Sequence, residues 1–264
     1  MTNKSEFLLF ALRLAEAAKP EILSRYYDLT VMTKPDGSEV TEADQNAEKV
    51  IRKLIEEVYP DHGILGEEFG KKEGSSSYQW IVDPIDRTSW FTAGIPTFGT
   101  LISLVENGKP ILGVCAHPAM NEVLYAEEGK GCWFESQGQE SLQVFVDKEA
   151  SFDEATISAS GLHNSDIDSR VGKDAFKLSG VITASNKFKF CGDCSQHVLV
   201  ARGRIHAAID TLMKPWDIAA LAVCVREAGG VVCGLDGSAD NILYAGNLLS
   251  GANQDICDKI LSLV

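Results

Sequence analysis

Three segments of this 264-residue chain place carboxylates where an apolar stretch ends: Gly66-Glu67-Glu68, Asp83-Pro84-Ile85-Asp86-Arg87-Thr88 and Lys214-Pro215-Trp216-Asp217. Asp83 and Asp86 flank a Pro-Ile pair that must turn the backbone, a spacing that can aim both carboxylates and the Ile85 carbonyl to one side. Hard divalent cations take oxygen ligands of this kind, and Mg2+ combines one or two carboxylates with waters and substrate phosphate. Arg87 to Phe91 can open a helical turn directly after the acids, with free N–H groups pointing at an anion held there. Taken singly, each acid is an ordinary surface group, and Asp217 ahead of Ile218-Ala219-Ala220-Leu221 is an ordinary N-cap. Three such clusters in one acidic chain carry more weight than any one.

The elements that must position these acids can be read from the pattern of apolar residues. Residues 5–27 repeat apolar positions at helical spacing (Phe7, Leu8, Ala11, Leu14, Ala15, Ala18). Thr30–Glu39, with Pro35-Asp36-Gly37, is expected to turn. Thr41-Glu42-Ala43-Asp44 has the form of a capping box opening a helix that carries Ala47, Val50, Ile51, Leu54, Ile55 and Val58 and stops at Pro60. Gly63–Glu68 and Trp80–Asp83 are expected as short strands that end on acids. Thr100–Glu106, Ile111–His117 and Glu122–Glu127 are expected to form an antiparallel meander. The polar stretch 135–152 suggests a boundary between an N-terminal α+β part (1–150) and a C-terminal α/β part (151–264). In the second part, strands are expected at Thr156–Ala159, Gly180–Ala184 and Ile205–Asp210, and helices at 164–178, 195–203 and 217–228.

Composition narrows the function classes. Lys+Arg 24 against Asp+Glu 38 gives a net charge of −14, with 45% hydrophobic residues. An acidic surface repels nucleic acid and anionic membranes, so neither is expected as a partner. No apolar run approaches the roughly 20 residues that cross a bilayer, and the first residues lack signal-peptide features. The seven cysteines are odd in number and scattered, and Cys191-Gly192-Asp193-Cys194 has no second ligand pair in sequence, so buried thiols in a reducing cytoplasm are expected.

Together, Gly66-Glu67-Glu68, Trp80-Ile81-Val82-Asp83-Pro84-Ile85-Asp86-x-Thr88-x-x-Phe91, Trp216-Asp217-Ile218-Ala219-Ala220 and Glu227-Ala228-Gly229-Gly230 resemble the motifs of the inositol monophosphatase superfamily. The likeness runs from Val40 to the final helix. It implies a layered αβαβα sandwich, a homodimer, lithium sensitivity and Mg2+-dependent hydrolysis of a small phosphate monoester. Glu67, Asp83 and the Ile85 carbonyl would hold one ion, and Asp83, Asp86 and Asp217 a second. Glu68 would support a third, looser one. Two ions about 3.5–4 Å apart would stabilise attacking and leaving oxygens of an in-line displacement. By the same likeness Glu67 and Thr88 would orient the attacking water, the N–H groups of Arg87 and Thr88 would bind phosphate, and Lys34 would be a mobile-loop lysine. Lys34 is equally an exposed turn residue, and Asp44, apart from capping its helix, stands at the margin of the site.

One position departs from the family pattern: Arg87 replaces the usual glycine after the second aspartate. The expectation adopted is an ordinary φ, with the N–H kept and the guanidinium adding charge near the phosphate. The opposing outcome is a blocked phosphate site. Within the superfamily, His62–Gly70, Gly94–Ile102 and Lys214–Leu221 resemble the histidinol-phosphatase branch, which implies L-histidinol phosphate as substrate. Asp193 and Asp210 suit a leaving group that carries an ammonium, although they also read as a helix cap and a strand-end acid. His117, His197 and His206 match no motif and are expected to pack rather than react. Two alternatives remain: an inositol-1-monophosphatase, and a catalytically impaired phosphate-binding or regulatory protein whose defect is Arg87.

Overall fold

The computed structural model describes residues 4–28, 30–33, 39–168 and 175–264. The strands are β1 (Val31–Thr33), β2 (Glu39–Thr41), β3 (Gly63–Gly66), β4 (Gly70–Lys72), β5 (Tyr78–Asp86), β6 (Gly99–Glu106), β7 (Lys109–His117), β8 (Glu122–Glu127), β9 (Cys132–Ser136), β10 (Leu142–Val144), β11 (Thr156–Ala159), β12 (Lys187–Phe190), β13 (Ala207–Asp210), β14 (Val231–Cys233) and β15 (Leu248–Gly251). The helices are α1 (Glu6–Leu23), α2 (Glu42–Val58), α3 (Thr88–Thr92), α4 (Leu178–Ala184), α5 (Asp193–Ala201), α6 (Pro215–Glu227) and α7 (Gln254–Leu261). An eight-stranded sheet runs β10-β9-β8-β7-β6-β5-β3-β4, and a five-stranded sheet runs β12-β11-β13-β15-β14.

Alternation along the strands builds the layers. On β5, Trp80 and Val82 face one way, into a core shared with Leu14, Ala18 and Ile22 of α1 and Ala47, Ile51 and Ile55 of α2. Ile81 between them faces the other way, against Ala219 of α6. A sheet with both faces apolar needs a helical layer on each side. α6 fits closely against the second face because Gly113 on β7 has no side chain: a Cβ there would lie 2.2 Å from the Ala220 carbonyl oxygen. Residues of α5 and α6 share their core with β11, β13 and β15, and with Leu178, Val181, Ile256 and Ile260 of α4 and α7. The order is therefore αβαβα, as the sequence resemblance implies. No helix among the described residues is long and apolar enough to cross a membrane.

The β6–β7–β8 meander forms as expected and extends to β9 and β10, so part of the polar 135–152 stretch is strand. Two expectations fail. Residues 178–184 form α4 rather than a strand at 180–184: Leu178 and Val181, three apart, point into one core, and that packing outweighs the β preference of Val181-Ile182-Thr183. The expected helix at 164–178 is absent among its described residues, where Asn164 takes φ 50° and Ser165 bridges to Phe176. Lys34 and Pro35-Asp36-Gly37 lie outside the described residues.

Candidate active site

β3 and β5 run parallel, with Gly66 beside Val82, so the residues that succeed Gly66 and Val82 emerge at the same edge. The pairing of β5 with β6 breaks register between Asp83 and Asp86. That irregularity at Pro84-Ile85 is what lets both aspartates face one side, since strict alternation would put residues three apart on opposite faces. α6 supplies the third acid. Asp217 is the third residue of α6 rather than its cap, and its Oδ2 accepts from the Lys214 N–H at 2.6 Å. Asp83, Asp86 and Asp217 each bring a carboxylate oxygen within 4.8 Å of the others.

This grouping is electrostatically costly. Burial, then the charges of Glu67, Asp86 and Asp217, push the Asp83 carboxyl well above the usual range. Burial and then Asp86 do the same to Asp217, against the pull of the Lys214 N–H. Burial raises Asp86 too, opposed first by the thiol of Cys194 and then by its N–H, which donates to Asp86 Oδ2 at 2.9 Å. Asp83 Oδ1 is buried with no hydrogen-bond partner among the described residues. A bare carboxylate oxygen amid repelling acids is the donor set a hard dication requires, and its binding would remove both penalties.

Thr88 and Asp44 form the second part of the site. Thr88 opens α3 directly after the acids, and its Oγ1 lies 3.1 Å from Asp44 Oδ1 and 3.2 Å from the Ile85 carbonyl oxygen. Asp44 Oδ2 accepts from the backbone N–H and hydroxyl of Thr41 at 2.8 and 2.6 Å. The capping box is therefore present, with Ala43 N–H donating to Thr41 Oγ1. It also fixes a wholly buried acid behind Thr88, a link that local spacing cannot show because the residues are 44 apart.

Glu48 carries no motif that would single it out in the sequence. It lies one turn beyond Asp44 on α2, is fully buried, and accepts from Glu68 N–H at 2.7 Å, Phe69 N–H at 3.3 Å and Arg52 Nε at 2.6 Å. Gly66 makes this possible, since a Cβ there would lie 2.0 Å from Glu48 Oε1. Glu48 thus pins the turn that carries Glu67 and Glu68. The only signal in sequence is a glutamate among apolar positions of an amphipathic helix.

Arg87 does not take an ordinary φ. It sits in the left-handed region at φ 71°, ψ 51°, which explains why glycine suits the position. Its guanidinium turns into the protein rather than over the carboxylates. Nε lies 2.6 Å from Asp193 Oδ2, Nη1 donates to Thr97 Oγ1 at 3.2 Å, and Cζ lies 4.3 Å above the Trp90 ring. The Arg87 side chain is 1% exposed and that of Asp193 33%. Burial and the charges of Asp86 and Asp210 push Asp193 up, to about 8, against the pull of Arg87. The cap reading of Asp193 fails: Gly192 caps α5 and Asp193 is its first residue, with its carboxylate turned to Arg87 instead of to the helix N–H groups. Asp210 ends β13, as expected, with its oxygens engaged internally: Oδ1 by Ser160, Oδ2 by Gln196 at 2.8 Å and His197 at 2.9 Å. Ser160 Oγ in turn accepts the Asp193 N–H at 3.1 Å. His117 and His197 are buried, in keeping with packing roles, and burial pushes His117 down to about 4.

A layered αβαβα sandwich with a buried carboxylate cluster where its strands and α6 converge defines a class, and the chain belongs to it: the inositol monophosphatase family, whose model matches residues 3–264. Among curated relatives, the chain is 35% identical to the histidinol-phosphatase of Chlorobaculum parvum (97% of this chain, 96% of that one). It is 36% identical to the histidinol-phosphatase of Mycobacterium tuberculosis (88% of each). Among solved structures, the Thermotoga maritima IMPase superposes with a TM-score of 0.85 at 29% identity, covering 98% of this chain and 96% of that one.

Proposed function

We propose that this protein is a Mg2+-dependent phosphomonoesterase that hydrolyses L-histidinol phosphate to histidinol and phosphate. The observation that carries the phosphatase reading is the Asp83–Asp86–Asp217 cluster, its first two acids buried, with an Asp83 oxygen that has no hydrogen-bond partner among the described residues. Glu67, Asp83 and the Ile85 carbonyl would hold one Mg2+; Asp83, Asp86 and Asp217 would hold a second, and Glu68 would support a third. Bound there, the ions supply Lewis-acid charge for the phosphoryl oxygens and make a water nucleophilic at neutral pH.

The chain's own residues do the rest. Thr88 Oγ1, held 3.1 Å from Asp44, orients the attacking water, and Glu67 accepts its proton. The N–H groups of Arg87 and Thr88, ahead of the first intrahelical bond of α3, bind the phosphate. Arg87 helps through its main chain and by bracing Asp193, and its buried side chain leaves the phosphate ground clear. The positive φ at Arg87 is the condition the impaired-protein reading named, whereas the inward side chain speaks for an open phosphate site.

Asp193 supports the choice of substrate. The one-third exposed Asp193 carboxyl, pushed up to about 8, would be drawn into its ionised form by an ammonium-bearing leaving group, which a neutral polyol would not do. Asp210 assists as a buried charge and through Ser160. The histidinol-phosphatase relatives, similar along nearly the whole chain, support the same choice. A cytoplasmic homodimer completes the reading: the seven free cysteines suit a reducing compartment, and the dimer is carried over from the family likeness. The test is phosphate release from L-histidinol phosphate and inositol 1-phosphate at saturating Mg2+. A higher kcat/KM on histidinol phosphate, lost selectively in Asp193→Asn, supports the assignment. Preference for inositol phosphate would transfer it to the polyol.

A further inference from the structure

Behind Asp86, on the side away from the carboxylate cluster, lies a second group of metal-ligating atoms that phosphate chemistry does not use. Cys115 and His117 stand two apart on β7 and so face the same way, toward Cys194 in the first turn of α5. One ligand atom from each lies within 4.8 Å of the others, all three residues are buried, and Cys194 Sγ is 3.8 Å from His117 Nε2. Ligands about 2.0–2.3 Å from a tetrahedral ion stand roughly 3.5–3.8 Å from one another, so the Cys194–His117 spacing already matches a bound ion. Ser195 Oγ lies 3.2 Å from the same His117 nitrogen and donates to the Thr97 carbonyl at 2.7 Å.

We propose that Cys115, His117 and Cys194 form a site for a thiophilic divalent cation of the Zn2+ class, distinct from the Mg2+ carboxylates, and that occupancy there weakens Mg2+ binding. Two thiolates and an imidazole select Zn2+ over Mg2+ by donor softness. Ligation releases the two thiol protons to solvent, and the two thiolates cancel the ion's charge, so the buried site stays neutral overall. The link to the carboxylates is Cys194, whose thiol and N–H both bond Asp86. The Cys194 N–H holds Asp86 Oδ2 at 2.9 Å, and drawing the Cys194 side chain onto an ion moves that donor. Loss of a hydrogen bond that orients a metal ligand lowers affinity about 10–100-fold.

The test uses full-length protein with thiols kept reduced and Mg2+ saturating, titrated with Co2+ as a spectroscopic stand-in for Zn2+. One equivalent of Co2+ should give thiolate-to-cobalt charge-transfer absorption that Zn2+ bleaches. Cys115→Ser and Cys194→Ala should abolish it, and Cys191→Ser should leave it intact. Circular dichroism verifies each variant's fold, and His117→Asn serves as a third probe should either cysteine variant misfold. In the phosphatase assay, Zn2+ should raise the half-saturating Mg2+ concentration about tenfold in wild type and leave Cys115→Ser unaffected. Absence of the thiolate band in folded wild-type protein, or its survival in both cysteine variants, overturns the site. The band is read without turnover, so it stands or falls separately from the phosphatase reading.

Discussion

Replacing Arg87 with the glycine common at this position tests whether this chain has built a substitute support around an unfavourable backbone. The left-handed φ of 71° costs a non-glycine residue about 1–2 kcal/mol, which Arg87→Gly would recover. Against that gain stand the 2.6 Å contact with Asp193, the bond to Thr97 and the stacking on Trp90. A hydrogen bond to a charged group contributes about 1.5–3 kcal/mol and a cation–π contact about 1. The Asp193 pair, one-third open on the acid's side, falls below the 3–5 kcal/mol expected for breaking a wholly buried pair. The losses exceed the gain, and Arg87→Gly should destabilise the protein by about 2–3 kcal/mol and lower, not raise, the phosphatase rate. Urea unfolding of Arg87→Gly, Asp193→Asn and the double variant measures this, with a coupling of at least about 1 kcal/mol between the two sites. A stabilised or more active Arg87→Gly, or additive single effects, would refute the account of Arg87 as a brace.

Further predictions concern the acids. Because Asp83 and Asp217 titrate above the usual range, Mg2+ must displace protons from them, so the Mg2+ requirement should rise as pH falls below neutrality. The same raised values mean that metal-free protein is most stable below the unfolded carboxylate range and loses stability as pH rises through the folded values; thermal melts across pH, with and without Mg2+, should show the loss and its reversal by the ion. Thr88→Val should lower kcat by about 10²–10⁴ with little change in stability, while Thr88→Ser keeps the hydroxyl and most of the rate. Glu48→Ala should cost about 3–5 kcal/mol by unpairing Arg52. It should also raise the Mg2+ requirement about 10–100-fold by freeing the Glu67–Glu68 turn, which an unfolding curve and a Mg2+ titration check separately.

Much of the fold was legible because its signals are local: the periodic helices α1 and α2, the Thr41 cap, and the meander with its turn residues. Errors arose where tertiary packing decides. Val181-Ile182-Thr183 favours a strand in isolation, yet Leu178 and Val181 enter the core together only as a helix. Cys132–Ser136 and Leu142–Val144 become strands because the sheet edge offers partners, not because their own pattern demands it. In the site, the carboxylates were legible because each comes directly after an apolar run. The supports were not: Asp44 to Thr88, Glu48 to Glu68, and Arg87 to Asp193 join residues 44, 20 and 106 apart, and long-range contacts leave no spacing to read. The sign of φ at Arg87 was likewise invisible, because an arginine in the left-handed region exists only where its surroundings hold it.

The central claim is that a carboxylate cluster built around Asp83 binds Mg2+ to cleave a phosphate monoester. The most direct measurement is phosphate release from L-histidinol phosphate across a Mg2+ titration, for wild type and Asp83→Asn. The account predicts saturable, Mg2+-dependent release by wild type, abolished by chelation and absent from a folded Asp83→Asn protein at every Mg2+ concentration. Release that is independent of Mg2+, or that persists undiminished in Asp83→Asn, would contradict it.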